Sequence, residues 1–236
     1  MTQSALLNNI DHYDLRVITR HGAEFGDNVM SALTFPAEFR NLQAYYPIVL
    51  QKSHDGSTLV PLALFGFEEG ENLFLDSAGW DATYVPLTIE RHPFQIGVNG
   101  EQLTLNIDVD HPRISRTEGE VLFLPQGGTT PYIDRINSVL MTIHEGIQST
   151  PAFIAALVQL ELVESFVLDI TMADGSQHRL VGFYTIHEER LGALGADALA
   201  ALHQAGYLQA IYMMIASMTQ FRALIERKNR AYAARR

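Results

Sequence analysis

An α+β fold is what the sequence predicts: antiparallel β-hairpins in the N-terminal half and one hairpin inserted later, packed with a helical C-terminal half. Three observations carry this reading. Residues 1–129 read mostly as strands and 130–236 mostly as helices, an order that favours segregated elements and antiparallel pairing over alternating βαβ units. Apolar runs flank Asp-Gly and Asn-Gly pairs, the short-range mark of a hairpin. After residue 130, apolar positions instead recur at helical spacing behind Thr-Pro pairs suited to helix starts. No linker, low-complexity tract or solenoid repeat breaks the chain, so a single integrated domain over 1–236 is expected, strand-rich over 1–129 and helix-rich over 130–236.

The elements follow in order. Residues 46–52 and 58–67 are apolar runs joined by Ser53-His-Asp-Gly-Ser, so Asp55-Gly56 predicts the first turn. A second hairpin is expected where residues 94–98 pass through Asn99-Gly100 into 102–109. There Leu103, Leu105, Ile107 and Val109 take every second position, which predicts one buried face. Thr130-Pro131 predicts a helix start, and Ile133, Ile136, Leu140, Ile143 and Ile147 give that helix a narrow apolar stripe. Thr150-Pro151 predicts a second start, with a separate helix over 151–162. The inserted hairpin is expected over 165–187, turning at Asp174-Gly175. From Asp197 two more helices are expected, split at Ala205-Gly206, the last over 207–229. Its first half is apolar nearly all round, which suits a core helix or a homo-oligomer interface.

Composition removes several function classes. The 236 residues include no Cys, so disulfide scaffolds, thiol catalysis and iron–sulfur ligation are unavailable, and any metal site must use His and carboxylates. A net charge of −11 argues against binding nucleic acid through phosphate neutralisation. The charge is uneven: the last 15 residues carry +5 and the preceding 221 carry −16. A solvated helix end accounts for such a tail, and contact with an acidic surface is the alternative. The N-terminus lacks the basic and apolar regions of a secretory signal, and no stretch has the ~20 mainly apolar residues of a spanning helix. A cytoplasmic protein without a transmembrane segment is expected.

Candidate chemistry is scattered. Asp108, Asp110 and His111 close the alternating strand; two carboxylates at i and i+2 with an adjacent imidazole suit a hard divalent metal or zinc, and equally a strand-to-loop turn. His12 and Asp14 have the H-x-D spacing of a facial-triad iron site, which needs a second His. Glu68, Glu69 and Glu71, with Asp76 and Asp81 around Trp80, form an acidic stretch that suits calcium, the basic groups of a partner, or plain solvation. Gly127-Gly128 precedes a helix without any phosphate-loop pattern, so a loop-and-cap role is preferred. His144-Glu145 lacks the second His of a zinc-protease helix, because position 148 is Gln148, and no G-x-S-x-G is present.

Several segments in order carry a resemblance: Tyr46-Pro-Ile-Val, Leu64-Phe-Gly-Phe-Glu-Glu-Gly-Glu-Asn-Leu-Phe-Leu-Asp, Trp80, Tyr84-Val-Pro, Arg91-His-Pro-Phe, Glu118-Gly-Glu-Val-Leu-Phe, and Gly182-Phe-Tyr-Thr-Ile-His-Glu-Glu-Arg-Leu. With the final helix they make the chain, from residue 12 to 228, similar to the SapC family of bacterial proteins. That family takes its name from a surface-layer gene context. Its members neighbour genes for cupin-like oxygenases, tryptophan-halogenase-like enzymes and TonB-dependent receptors. The resemblance therefore implies an accessory role in uptake or modification of a small molecule or peptide. The permease label sometimes attached to the family does not suit a chain without apolar spans. Trp80, Arg91, His92 and His144 are the candidate ligand-binding residues. The leading expectation is a soluble binding or accessory protein whose partner is another protein, a small molecule or a peptide. The alternatives are a metal-dependent enzyme using Asp108, Asp110 and His111 or His12 and Asp14, and a peripheral surface-layer or membrane protein held by its Arg-rich tail.

Overall fold

A computed structural model describes residues 4–99, 102–172 and 175–234. The first elements are β1 (Ser4–Leu6), β2 (Arg16–Val17), β3 (Ser31–Leu33), α1 (Phe39–Leu42), β4 (Ile48–Lys52), β5 (Leu59–Leu64), β6 (Leu75–Asp76) and β7 (Gly79–Trp80). Then come α2 (Leu87–Glu90), β8 (Phe94–Asn99), β9 (Gln102–Asp108), β10 (Ile114–Ser115), β11 (Glu120–Val121) and the long α3 (Pro131–Gln159). The chain continues through β12 (Val163–Thr171), β13 (Gln177–Ile186), α4 (Glu188–Gly192), α5 (Ala196–Gln204), α6 (Tyr207–Ser217) and α7 (Gln220–Ala234). The strand pairs are antiparallel and the helices gather after residue 130, so the fold is α+β.

Two compact units divide the chain. The first comprises Met1–Asn28, Leu75–Asp81 and Leu87–Glu145. It holds two three-stranded sheets, ordered β1-β9-β8 and β10-β2-β11, and the small β6-β7 pair. Its core joins Leu15 and Val17 to Phe94, Ile107 and Leu122, and to Ile133, Ile136 and Leu140 from the start of α3. The alternation in β9 is only partly used. Ile107 is fully buried and Leu105 and Val109 pack against the core, whereas Leu103 is exposed. The Asn99-Gly100 turn falls partly outside the described residues.

The second unit comprises Val29–Phe74, Ala82–Pro86 and Gly146–Arg236. Its five-stranded sheet runs β12-β13-β4-β5-β3, so the inserted hairpin pairs with the first one through Phe183 opposite Gln51 and Tyr184 opposite Leu50. The Asp55-Gly56 turn forms as expected: Gly56 adopts a φ of 71°, and Asp55 Oδ1 accepts from Ser53 and Ser57. At the other turn Gly175 has a φ of 86°, and Asp174 lies outside the described residues. Phe39, Tyr46, Phe65 and Phe153 are fully buried, each worth roughly 1.5–3 kcal/mol of transfer free energy. Tyr46 packs edge-on against Phe65 and Phe74 at 5.2 and 4.7 Å.

Three helical expectations are corrected. The helices foreseen at Pro131 and Pro151 are one, α3. Thr150 does not cap a new helix; its hydroxyl donates back to the Gly146 carbonyl at 2.7 Å, and Pro151 sits inside the helix on its exposed side. The carbonyl of Ile147, which Pro151 deprives of its N–H partner, belongs to a residue that is 51% exposed, so the apolar stripe ends at Ile143 and water can serve the carbonyl. Thr130 likewise donates to the Val121 carbonyl rather than capping. Finally, the helix expected over 207–229 breaks after Ser217. The Ser217 hydroxyl accepts the N–H of Ile48 at 2.9 Å while donating to Met214 O, and α7 restarts at Gln220. Ile211 and Met214 of α6 are buried within the chain itself, the core role of the two foreseen for this segment.

Candidate functional site

Short-range hydrogen bonds in the first unit bring two histidines together. Arg91 follows α2, its N–H closing on Leu87 O, and the N–H of His92 closes on Ile89 O. The carbonyl of Pro93 accepts the N–H of Asp108 at 3.1 Å, which ties the end of β9 beside the start of β8, and the N–H of His111 then turns back onto Asp108 O. The rings of His92 and His111 consequently stack, with centroids 5.6 Å apart and planes 15° from parallel.

Two residues further on, Arg113 enters the interior, its side chain 3% exposed. Nη1 donates to the carbonyls of Ile18 and Arg20 at 2.9 and 2.6 Å, and Nη2 to Asp27 Oδ2 at 2.6 Å. That carboxylate also accepts the Gly22 N–H at 2.9 Å and faces Nδ1 of His21 at 3.1 Å. His21 meets the edge of Trp80 at 5.4 Å, and the guanidinium of Arg113 lies 5.3 Å from the Phe25 ring. The result is a buried ion pair with partly exposed rings of His21, Trp80, His92 and His111 around it.

The electrostatics follow from that packing. Burial raises the Asp27 carboxyl, but hydrogen bonds from His21 and Gly22 and the charge of Arg113 outweigh it and hold the pKa below the ordinary value. Desolvation, with Arg91, His111 and Arg113 nearby, pushes His92 down to about 4. His111 is lowered as well, by desolvation and then Arg113. Both imidazoles are therefore neutral at pH 7. Desolvation also lowers Arg91, and burial raises the Tyr132 phenol.

Of the sequence candidates, Arg91, His92 and His111 belong to this cluster, and Trp80 reaches it through His21. His144 is half-buried on α3, and the contacts that define the cluster run through other residues. Asp110 has left the strand; its N–H donates to Asp108 Oδ1 at 3.2 Å in a local turn. His12 is buried, with Nδ1 accepting the Asn8 N–H, and Asp14 pairs with Arg116. Among the described residues no group of three or more His, Asp and Glu side chains lies together so as to hold a metal ion.

Sequence reasoning missed His21, Asp27 and Arg113. Asp27 and Arg113 stand 86 positions apart, and no local pattern marks either. The one available hint is that 14 of the 16 basic residues are Arg, the side chain suited to buried carboxylate pairing. In the second unit, the acidic stretch finds a basic partner within the same chain. Lys228 of α7, its side chain 4% exposed, donates to Glu68 at 3.0 Å and to Glu71. Glu68 also faces His178 Nδ1 at 3.2 Å, and His178 Nε2 lies 3.3 Å from the Tyr232 hydroxyl.

Fold and cluster together define an α+β protein whose first unit carries a polar, ring-lined cluster around a buried ion pair. The SapC family model matches residues 7–224, and the chain belongs to that family. No curated protein and no solved structure matches it significantly. No helix among the described residues is long and apolar enough to cross a membrane.

Proposed function

We propose that this SapC-family chain is a binding or accessory protein, and that the His21–Trp80 and Arg91–His92–His111 cluster is where it takes a small molecule or short peptide. The observation that carries the reading is the gathering of partly exposed aromatic and imidazole rings around a buried, multiply hydrogen-bonded ion pair. Such a constellation holds its geometry without a ligand and sets partly exposed ring faces beside polar groups. One family match spanning both units supports treating them as a single integrated domain. An accessory role in uptake or modification of its ligand accords with what the family resemblance implies, and a cytoplasmic location with the N-terminal sequence.

Trp80 is the only tryptophan, so its emission is a built-in reporter. Titrating the purified chain with free dipeptides and with acetylated dipeptide amides should give a saturable emission change for at least one of them, abolished in His21→Ala. No emission change with any probe, together with a ligand-free and partner-free protein by native mass spectrometry, sinks the reading.

A further inference from the structure

We propose that Arg91 and His111, the latter stacked on the ring of His92, form an oxyanion receptor, which takes the carboxylate or phosphate group of the ligand; this rests on the cluster being the binding site. The argument is an inventory of donors and acceptors. His111 accepts the Arg113 N–H at Nδ1, 3.2 Å away, so the neutral ring carries its proton on Nε2 and presents a donor there. Arg91 spends Nη1 on the Phe94 carbonyl at 2.8 Å, and among the described residues no carboxylate pairs with the rest of its planar fork. Nε of Arg113 is buried without an acceptor. Several of the acceptors nearby are already engaged. Asp27 Oδ2 faces Arg113, Gly22 and His21, and Asp108 Oδ1 receives the Asp110 N–H.

The open part of the Arg91 fork and the Nε2–H of His111 are the donors on offer, and the positive charge that comes with them is specific to sign. A cation would meet the charges of Arg91 and Arg113, and a metal at His111 would need the lone pair that its Nδ1 has already committed. An oxyanion brings only acceptors, and a planar carboxylate or a phosphate face matches the guanidinium fork. Desolvation of Arg91 strengthens such a pair, because the cation has already lost much of its water.

The test follows the ring N–H of His111 and the guanidinium Nε–H of Arg91 by NMR in the full chain, as sodium acetate or inorganic phosphate is added against sodium chloride at equal ionic strength. Acetate or phosphate should shift both signals saturably and chloride should not; which anion acts identifies the oxyanion. Arg91→Met should weaken binding by at least about tenfold, and Arg91→Lys should restore only part of it. Should Arg91→Met fail to fold, Arg91→Lys and His111→Gln carry the same comparison. Unchanged affinity in folded variants overturns the proposal. If acetylated dipeptide amides change Trp80 emission while neither anion shifts the two N–H signals, the receptor falls and the binding reading stands. If no probe of either kind has an effect, both fall.

Discussion

Each unit buries a cation against carboxylates, and the two clusters differ in how their hydrogen bonds close. In the second unit Lys228 meets Glu68 and Glu71, Glu68 meets His178, and His178 meets Tyr232, so α7 is fastened to β13 and to residues 68–71. Burial lowers the Lys228 pKa, but the hydrogen bonds it donates to Glu71 and Glu68 more than offset this and leave it raised. In the first unit Arg113 and Asp27 satisfy each other, yet Arg91, His111 Nε2 and Arg113 Nε retain N–H groups that no nearby carboxylate receives. Both cations are buried, at 3% and 4% side-chain exposure. What separates a fastening from a receptor is whether donors and acceptors balance.

The most severe way to break the comparison is Arg113→Met, which leaves the Asp27 carboxylate buried without its cation and should cost about 3–5 kcal/mol of stability in urea unfolding. A change of acidity comes next. His92 titrates at about 4 in the folded chain and near 6.5 unfolded, so between those values only the unfolded state takes up the proton. Stability therefore falls as pH drops from about 6.5 to 4, by up to about 3 kcal/mol, and His92→Gln should flatten that slope in pH-dependent melts. Asp27 adds a loss only below the ordinary carboxylate range, because its folded pKa is depressed.

Lys228→Met should cost less, about 2 kcal/mol in thermal unfolding, since Glu68 is 54% exposed and can be rehydrated when the lysine is gone. The smallest effect sharpens the contrast most. Arg91→Met should change stability by less than about 1 kcal/mol, because it removes a desolvated cation with one protein hydrogen bond. The same substitution should raise the pKa of His92, which after desolvation is lowered most by the charge of Arg91. A strongly destabilised Arg91→Met would make that residue structural and erase the difference between the units.

Hairpins were legible because Asp55-Gly56 states its own geometry, whereas Thr150-Pro151 was misread because the same pair serves a helix start and an exposed helix interior. The break after Ser217 was invisible, since its hydroxyl is claimed by Ile48, 169 positions away. The site divided in the same way. Arg91, His92 and His111 lie in recognisable segments, while Asp27 and Arg113 acquire meaning only when the fold joins them. The acidic stretch and the basic tail were each readable alone as solvated charge; Lys228 and Glu71, 157 positions apart, show part of each cancelling the other.

The strand β12 lies on the outer edge of the five-stranded sheet, with Val167 and, on its partner strand, Val181 exposed. An edge of this kind invites the β-strands of other molecules to add on. Here a register shift between Phe166 and Leu168 bends the strand, and Glu164 and the exposed Asp169, paired to Arg179, place charge along it. These features act as gatekeepers against aggregation while the chain is newly made and crowded, a demand on the sequence unrelated to any ligand.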